Sequence, residues 1–530
     1  MAETQSRTSK ILKNVKANMI FYFIILIMSF FSRKIFLECL GVDFIGLSGT
    51  LSNLFGFLNL AELGVGSAIG FLLYKPLFEQ NHKEISNIIS VMGYLYHWIG
   101  IFILAAAVIL SLFIPLIFPS DKTGFDYFFV YFAFYSTLIS ILIGYFINYR
   151  QNLLGADQKN YVITICFQGI TVIKLILQIV LALETRSCYL WLMIELGFGI
   201  IYSIVLNRAI NKTYPWLKTQ VKNGKALFKD YPQVIKKTKQ CFIHKLGGFV
   251  QYQTAPFLIY EFSSLTSVAL YGNYCLIVDK VATFFTNLFA GVNASVGNLI
   301  AEGERTKILN TYWEFMALRT FIGGILCVST YLLIDPFITL WLGTEYLLSR
   351  TVIILILIRA FIRIVRSTND DFACGFGMFW DVWSPVAEII INLTVAIVCG
   401  YLWGLTGVLL GGVTSLIFII CTWKPFFLFH WGFKKPFTYY LAGMLLNHIP
   451  IVAAYIIVTY MLSFNSINPL DSWWNWVLYS ALSVSGYTIT SFIIFLICSR
   501  GMRLFVFRIF HFDLSKWNIL RRILCIRQAK

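Results

Sequence analysis

Charge is scarce in this sequence. Asp, Glu, Lys and Arg make up 13% of it, about half the roughly 25% of a soluble globular domain. Acids are scarcer than bases, 25 against 42. Paired cysteines are missing too. Cys39, Cys166, Cys188, Cys241, Cys275, Cys327, Cys374, Cys399, Cys421, Cys498 and Cys525 stand singly, without CxxC. They read as small hydrophobes, not as a disulfide or metal framework. The 6 histidines show no HExxH or His/Cys ligand spacing, which argues against zinc. No GxxxxGK[ST] occurs, so an ATP-driven exporter lacks its nucleotide loop, and Gly64-x-Gly66 sits inside an apolar run. The net charge is +17, but no polar domain gathers the basic residues as a nucleic-acid binder would.

Apolar residues fill the space. The chain is 58% hydrophobic and 17% aromatic, with mean hydropathy +0.75. Runs of about 18 or more apolar residues recur throughout, the mark of membrane-spanning helices. The patterning predicts an all-α polytopic membrane protein with about 14 spans. Boundaries carry an uncertainty of about 2–4 residues. Six spans cover 14–40, 44–74, 88–118, 127–148, 161–183 and 188–206. Eight more cover 241–260, 268–300, 308–342, 347–365, 382–401, 405–428, 439–464 and 474–498.

One long polar segment breaks the series, residues 207–240. It holds Arg208, Lys212, Lys218, Lys222, Lys225, Lys229, Lys236, Lys237 and Lys239 against one acid, Asp230. A short basic joint stays cytoplasmic. By side, about 32 of the 42 basic residues fall with the joint and about 5 opposite, so the charge is a topology signal. An even number of spans then places both termini in the cytoplasm. The basic N-terminus (Arg7, Lys10, Lys13, Lys16) resembles a signal peptide, but its apolar run is too long and lacks a cleavage site.

The expected division is 1–206, an N-terminal lobe of spans 1–6; 207–240, the basic linker; 241–432, a C-terminal lobe of spans 7–12; 433–499, two added spans; and 500–530, a basic tail. That tail interleaves eight basic residues with apolar ones and one acid, Asp513. Two readings stay open for it, a helix lying on anionic lipid and a disordered stop-transfer tail. Gly66-Ser-Ala-Ile-Gly70 and Asn293-Ala-Ser-Val-Gly297 form a weak echo between the lobes. It suggests the parallel repeats of some transporters, with a path between halves.

Polar residues recur at helical spacing inside several spans. They are Asn18, Tyr22, Ser29 and Arg33; Ser48, Ser52, Asn59, Glu62 and Gly66; Thr164, Gln168, Thr171, Lys174 and Gln178; Gln240, His244, Gln251 and Thr254; Asp279, Thr283, Thr286, Asn293 and Gly297; Arg359, Arg363 and Arg366; Ser384, Glu388 and Asn392. A helix in lipid satisfies its own backbone, so such stripes need another reason. A watery cavity between lobes is one. Glue between helices is the other, with Gly66-x-x-x-Gly70 and Gly407-x-x-x-Gly411 as packing notches. For ionisable groups the balance moves toward function, since a charge at mid-bilayer costs about 3 kcal/mol or more unless paired or hydrated.

Arg359 and Arg363, with Lys280 beside Asp279 and Arg33 near the outer end of span 1, are candidates to bind pyrophosphate or sugar. The planar guanidinium fork suits phosphate. Snorkelling competes for Arg363 and more strongly for Arg366. Glu62, Asp279 and Glu388 are candidates for proton or sodium coupling or gating. Structural pairing with Lys174, Lys280 or Arg319 is the alternative.

The run Leu47–Phe71, centred on Leu60-Ala-Glu-Leu-Gly-Val-Gly-Ser-Ala-Ile-Gly70, and then Leu73-Tyr-Lys-Pro-Leu77, resembles the bacterial polysaccharide flippases of the Wzx type. So does Glu388-x-x-x-Asn392 with Gly404-Leu-Thr-Gly-Val-Leu-Leu-Gly411. These flippases belong to the multidrug/oligosaccharidyl-lipid/polysaccharide exporter superfamily. The resemblance implies a MATE-like fold, two six-helix lobes plus two C-terminal helices around a cavity with alternating access. It implies a cargo of undecaprenyl-pyrophosphate-linked oligosaccharide, moved to the outer leaflet of a bacterial inner membrane for O-antigen or capsule assembly. No catalytic residue and no cofactor follow from it. The partners it implies are lipid-linked oligosaccharide, membrane lipids and other polysaccharide-assembly proteins, with no nucleic acid. Two rivals remain. A cation-coupled multidrug antiporter is disfavoured in one branch, because no acid lies between Glu3 and Glu38. A polysaccharide polymerase or glycosyltransferase needs a sizeable external loop, and none is expected.

Overall fold

The computed structural model describes residues 7–58, 65–120, 124–157, 159–231, 253–288, 302–378 and 380–509, with residues 62, 238, 296, 299 and 300. Every regular element among them is helical. This is the all-α, polytopic architecture that the apolar runs predict. Eleven helices among the described residues are long and apolar enough to cross a membrane. The other three expected spans fall on 44–74, where residues 59–61, 63 and 64 lie outside the described residues, on a charged helix, and on 241–260, most of which lies outside the described residues.

Contacts divide the chain into two units, Met1–Ala269 and Leu270–Lys530. The sequence places the joint at 207–240; the contact division falls after Ala269, one expected span later.

The first unit holds α1 (Arg7–Leu40), α2 (Val42–Leu58), α3 (Val65–Phe78), α4 (His82–Ser111), α5 (Tyr127–Phe146), α6 (Asn160–Thr185) and α7 (Cys188–Thr213). Expected span 2 covers α2 and α3; between them, residues 59–61, 63 and 64 lie outside the described residues. α1 packs on α6, α6 on α7, α7 on α5, and α5 on α4. Trp191 is the aromatic hinge of that packing. Its ring meets Phe36 edge-on at 5.8 Å and Phe44 at 5.4 Å between centroids, the geometry aromatic quadrupoles prefer. Caps mark several helix starts. Asn81 Oδ1 accepts from the Glu84 N–H at 3.1 Å, and Asp126 Oδ1 from that of Phe129 at 3.3 Å.

The division falls early in α8 (Leu265–Leu288). The second unit continues with α9 (Arg305–Trp341), α10 (Arg350–Gly375), α11 (Trp383–Trp403), α12 (Leu405–Ser415), α13 (Phe437–Leu462), α14 (Trp473–Cys498) and α15 (Arg500–Ile509). The 37-residue α9 is its axis, touched by α10, α13, α14 and α15. α11 and α12 approach most closely. A Cβ at Gly407 would overlap the Cys399 carbonyl, and one at Gly411 would come within 2.6 Å of the Asn392 carbonyl. These glycines are the packing notch that the Gly-x-x-x-Gly spacing suggests.

After α12 the helix widens. Leu416–Trp423 and Leu428–Phe433 are π-helical around the short turn Lys424–Phe427. Thr422 Oγ1 accordingly donates to the carbonyl five residues back, Ile417, at 2.9 Å. Such segments cluster at functional sites because they re-aim side chains.

Over its first ten residues the tail is a helix, not a disordered segment. α15 is docked on protein. Met502 is buried with Ala317 and Phe495, and a Cβ on Gly501 would overlap the Trp313 carbonyl. Arg508 Nη2 lies 2.8 Å from Glu314 Oε2 on α9. Residues 510–530, including Asp513, lie outside the described residues.

Candidate functional site

α10 carries the arginine stripe at spacings of four and three, so all three guanidinium groups leave one side of the helix. Their contacts differ. Arg359 Nη1 donates to the Tyr271 hydroxyl on α8 at 2.8 Å. Arg363 Nη1 donates to Asp279 Oδ1, also on α8, at 3.0 Å. Arg366 Nε reaches Asp370 Oδ2 on its own helix at 3.0 Å. Gly412 on α12 borders Arg359, where a Cβ would stand 3.7 Å from Nε. Two arginines proposed for cargo therefore share the wall between α8 and α10, where Lys280 sits half-buried next to Asp279.

The acids find partners other than those weighed from the sequence. Lys174 pairs with Glu195 at 2.6 Å, and Gln178 Nε2 donates to the other Glu195 oxygen at 3.0 Å. Arg319 pairs with Asp371 at 2.6 Å and bonds Thr368 Oγ1 at 3.2 Å, all three deep in the second unit. Asp279 takes Arg363. Glu62, between α2 and α3 in the chain, accepts from two phenols, Tyr96 on one oxygen and Tyr145 at 2.9 Å on the other. Gly66 leaves room for this: a Cβ there would stand 3.3 Å from the Tyr96 hydroxyl.

Glu388 is 5% exposed, and its Oε1 has no hydrogen-bond partner among the described residues. A buried carboxyl oxygen without a donor is costly. Arg366, Lys424 and Asp370 are the charged groups acting on it. Seven residues before it, Asp381 anchors a hub. It accepts from Ser384 Oγ at 2.7 Å, Lys424 Nζ at 2.8 Å and Trp423 Nε1 at 3.2 Å. Trp423 and Lys424 are successive residues at the end of a π segment, which is how both reach one carboxylate.

Arg33 belongs to the first unit. Its Nη2 donates to the Ala269 carbonyl at 3.0 Å, within the first unit. Gln240, His244, Gln251, Asn293 and Gly297 lie outside the described residues.

Sequence reasoning missed Tyr271, Tyr96, Tyr145, Glu195 and Asp381. Asp381 had a signal, since Asp381, Ser384, Glu388 and Asn392 continue one stripe at spacings of three, four and four. The others are partners across helices, and spacing within one helix does not report them.

No family model matches the chain, and no curated protein matches it. Solved structures do. A structure described as "Lipid II flippase MurJ, inward closed conformation" aligns with TM-score 0.62 at 15% identity, over 90% of this chain and 98% of that one. An inward-facing multidrug resistance MATE family transporter of the MOP superfamily aligns with TM-score 0.53 at 14% identity, over 76% of this chain and 93% of the other. At such identities the likeness is one of fold: this multi-pass helical membrane protein has the architecture shared by a lipid flippase and a multidrug transporter.

Proposed function

We propose that this chain is a flippase. It moves undecaprenyl-pyrophosphate-linked oligosaccharide repeat units from the inner to the outer leaflet of the bacterial cytoplasmic membrane by alternating access, for O-antigen or capsule assembly. The observation that carries the reading is the likeness to the lipid II flippase over 98% of that chain. The physical problem is the same for any such cargo. Sugar and pyrophosphate cannot enter hydrocarbon unaided, while the lipid tail stays in the bilayer.

In this reading Arg359 and Arg363 hold the pyrophosphate, with Lys280 and Arg33 adding positive charge. Tyr271 orients the Arg359 fork. Asp279, as the Arg363 counter-ion, leaves that guanidinium when phosphate arrives and returns when it departs. Glu62, Asp279 and Glu388 carry proton or sodium coupling and gating. No covalent chemistry and no cofactor are called on.

The second reading is a cation-coupled multidrug antiporter. The MATE transporter likeness and the buried Glu388 carboxyl favour it. Purified protein in vesicles separates the two, using fluorescent lipid-linked oligosaccharide and small organic cations, with and without proton or sodium gradients. Flipping of the lipid-linked sugar supports the flippase. Transport of organic cations without such flipping rejects it.

A further inference from the structure

The basic joint was read above as a topology signal alone. Its described part, residues 214–231, is instead a strap fastened to the first unit. Tyr214 donates to Asp157 Oδ2 at 2.8 Å, and Lys159 pairs with the same oxygen at 2.8 Å while lying over the Tyr214 ring. Burial and the Asp157 carboxylate push the pKa of the Tyr214 hydroxyl well above its ordinary value. The Trp216 ring stacks on His82 at 4.0 Å between centroids, with the planes within 4°. Thr219 Oγ1 meets the Tyr149 hydroxyl at 3.1 Å, and the Gln220 N–H donates to Ser90 Oγ at 3.0 Å. Gly224 is buried against α4, where a Cβ would run into Tyr94 and the Ser90 carbonyl.

Fastened this way, the strap turns its lysines outward. Lys218, Lys222, Lys225 and Lys229 are all exposed, and none has an ion-pair partner among the described residues. The strap itself carries one acid, Asp230 beside Lys229, and two acids of the first unit are engaged elsewhere: Asp157 with Lys159 and Tyr214, and Glu84 with the Asn81 cap. Apolar and aromatic residues alternate with the lysines, Trp216, Leu217, Val221, Leu227 and Phe228 being half-buried.

The level of the strap matters as much as its charge. α4 has 30 residues, about 45 Å at 1.5 Å per residue, against about 30 Å of hydrocarbon. Its polar first turns, His82 to Asn87, therefore project beyond the apolar core. The strap contacts Ser90, Gly93 and Tyr94, at the border of that projection. One turn further in, Trp98 is 55% exposed, where an interfacial tryptophan belongs. The strap thus lies at headgroup height.

We propose that the strap is a binding surface for anionic phospholipid headgroups of the adjacent leaflet, the cytoplasmic one by the positive-charge count. The four lysines supply the attraction, and the docking at Gly224 and Trp216 holds them in the headgroup plane. Each basic residue near an anionic surface contributes about fivefold in association. This surface does not depend on which cargo the protein moves.

The test uses the full-length protein in vesicles of phosphatidylcholine with and without phosphatidylglycerol, reading the phospholipids that remain bound after detergent extraction. The wild type retains phosphatidylglycerol preferentially. The Lys218→Gln/Lys222→Gln/Lys225→Gln/Lys229→Gln variant loses that preference by about fivefold or more, while a Lys434→Gln/Lys435→Gln control keeps it. Gly224→Val, which keeps every lysine but undocks the strap, also loses it. Unchanged preference in the four-lysine variant overturns the proposal. So does displacement of the phosphatidylglycerol by inorganic phosphate at equal headgroup concentration, which would show a site for soluble anions. Should Gly224→Val not insert, the four-lysine variant alone decides.

Discussion

Arg363 Nη1 and Asp279 Oδ1 face each other at 3.0 Å between α10 and α8. A group proposed to bind an anionic cargo and a group proposed to carry the coupling ion thus occupy one another. Phosphate arriving at Arg363 has to displace Asp279. In Asp279→Asn that competition disappears, so lipid-linked pyrophosphate binds more tightly and its release slows. Binding energy spent on the loaded state does not raise turnover. KM and maximal flipping rate are expected to fall together in reconstituted vesicles. Weaker binding in Asp279→Asn would show that Asp279 does not compete for Arg363.

Tyr271 acts on the neighbouring arginine. Tyr271→Phe keeps the ring and removes the hydroxyl that accepts from Arg359 at 2.8 Å. A hydrogen bond to a charged group contributes about 1.5–3 kcal/mol, so flipping is expected to fall roughly tenfold or more. Arg359→Lys keeps the charge, loses the planar fork, and should fall further. Arg359→Ala should abolish polymer assembly with membrane insertion intact. Normal polymer in Arg359→Ala would remove Arg359 from the site.

Arg319 and Asp371 make a different kind of pair. Arg319 is 2% exposed, and their side chains meet at 2.6 Å. Removing one partner of a buried pair costs about 3–5 kcal/mol, because the other charge stays buried. Asp371→Ala should lower the melting midpoint in detergent or stop expression. The double change Arg319→Met/Asp371→Leu should recover most of that loss. A double variant as unstable as the single one would point to a functional requirement for the charges.

The glycines of α12 allow a sharp contrast. At Gly411 a methyl group would come within 2.6 Å of the Asn392 carbonyl, but at Gly412 it would rest 3.7 Å from Arg359. Overpacking of this kind costs typically about 1–3 kcal/mol. Gly411→Ala is therefore expected to lower thermal stability, while Gly412→Ala folds normally. Equal melting curves for both would mean that α11 and α12 are not in close contact.

Glu388 offers a test of coupling. Glu388→Gln keeps the shape and removes the titratable proton. If this carboxyl carries the coupling ion, transport in the variant no longer responds to an imposed proton or sodium gradient, yet exchange at equilibrium persists. A full gradient response in Glu388→Gln assigns coupling elsewhere.

Much of the fold was legible because lipid leaves a helix few choices. An apolar run of membrane length can satisfy its backbone only within itself, so α5, α6, α11, α13 and α14 stand within about two residues of their expected bounds. The charged α10 was legible as the apolar run 347–365, and its arginine spacing marked one face of it.

Sequence alone set the helical membrane class, the arginine stripe on α10 and the Ser384-to-Asn392 stripe, since a helix carries its own periodicity. Packing alone chose the partners. Arg363 meets a residue 84 positions away and Arg359 one 88 positions away. It fastened the strap to α4 and docked α15 on α9. Such pairings depend on which helices lie side by side and at what height, and the order of residues along one helix holds no record of its neighbour.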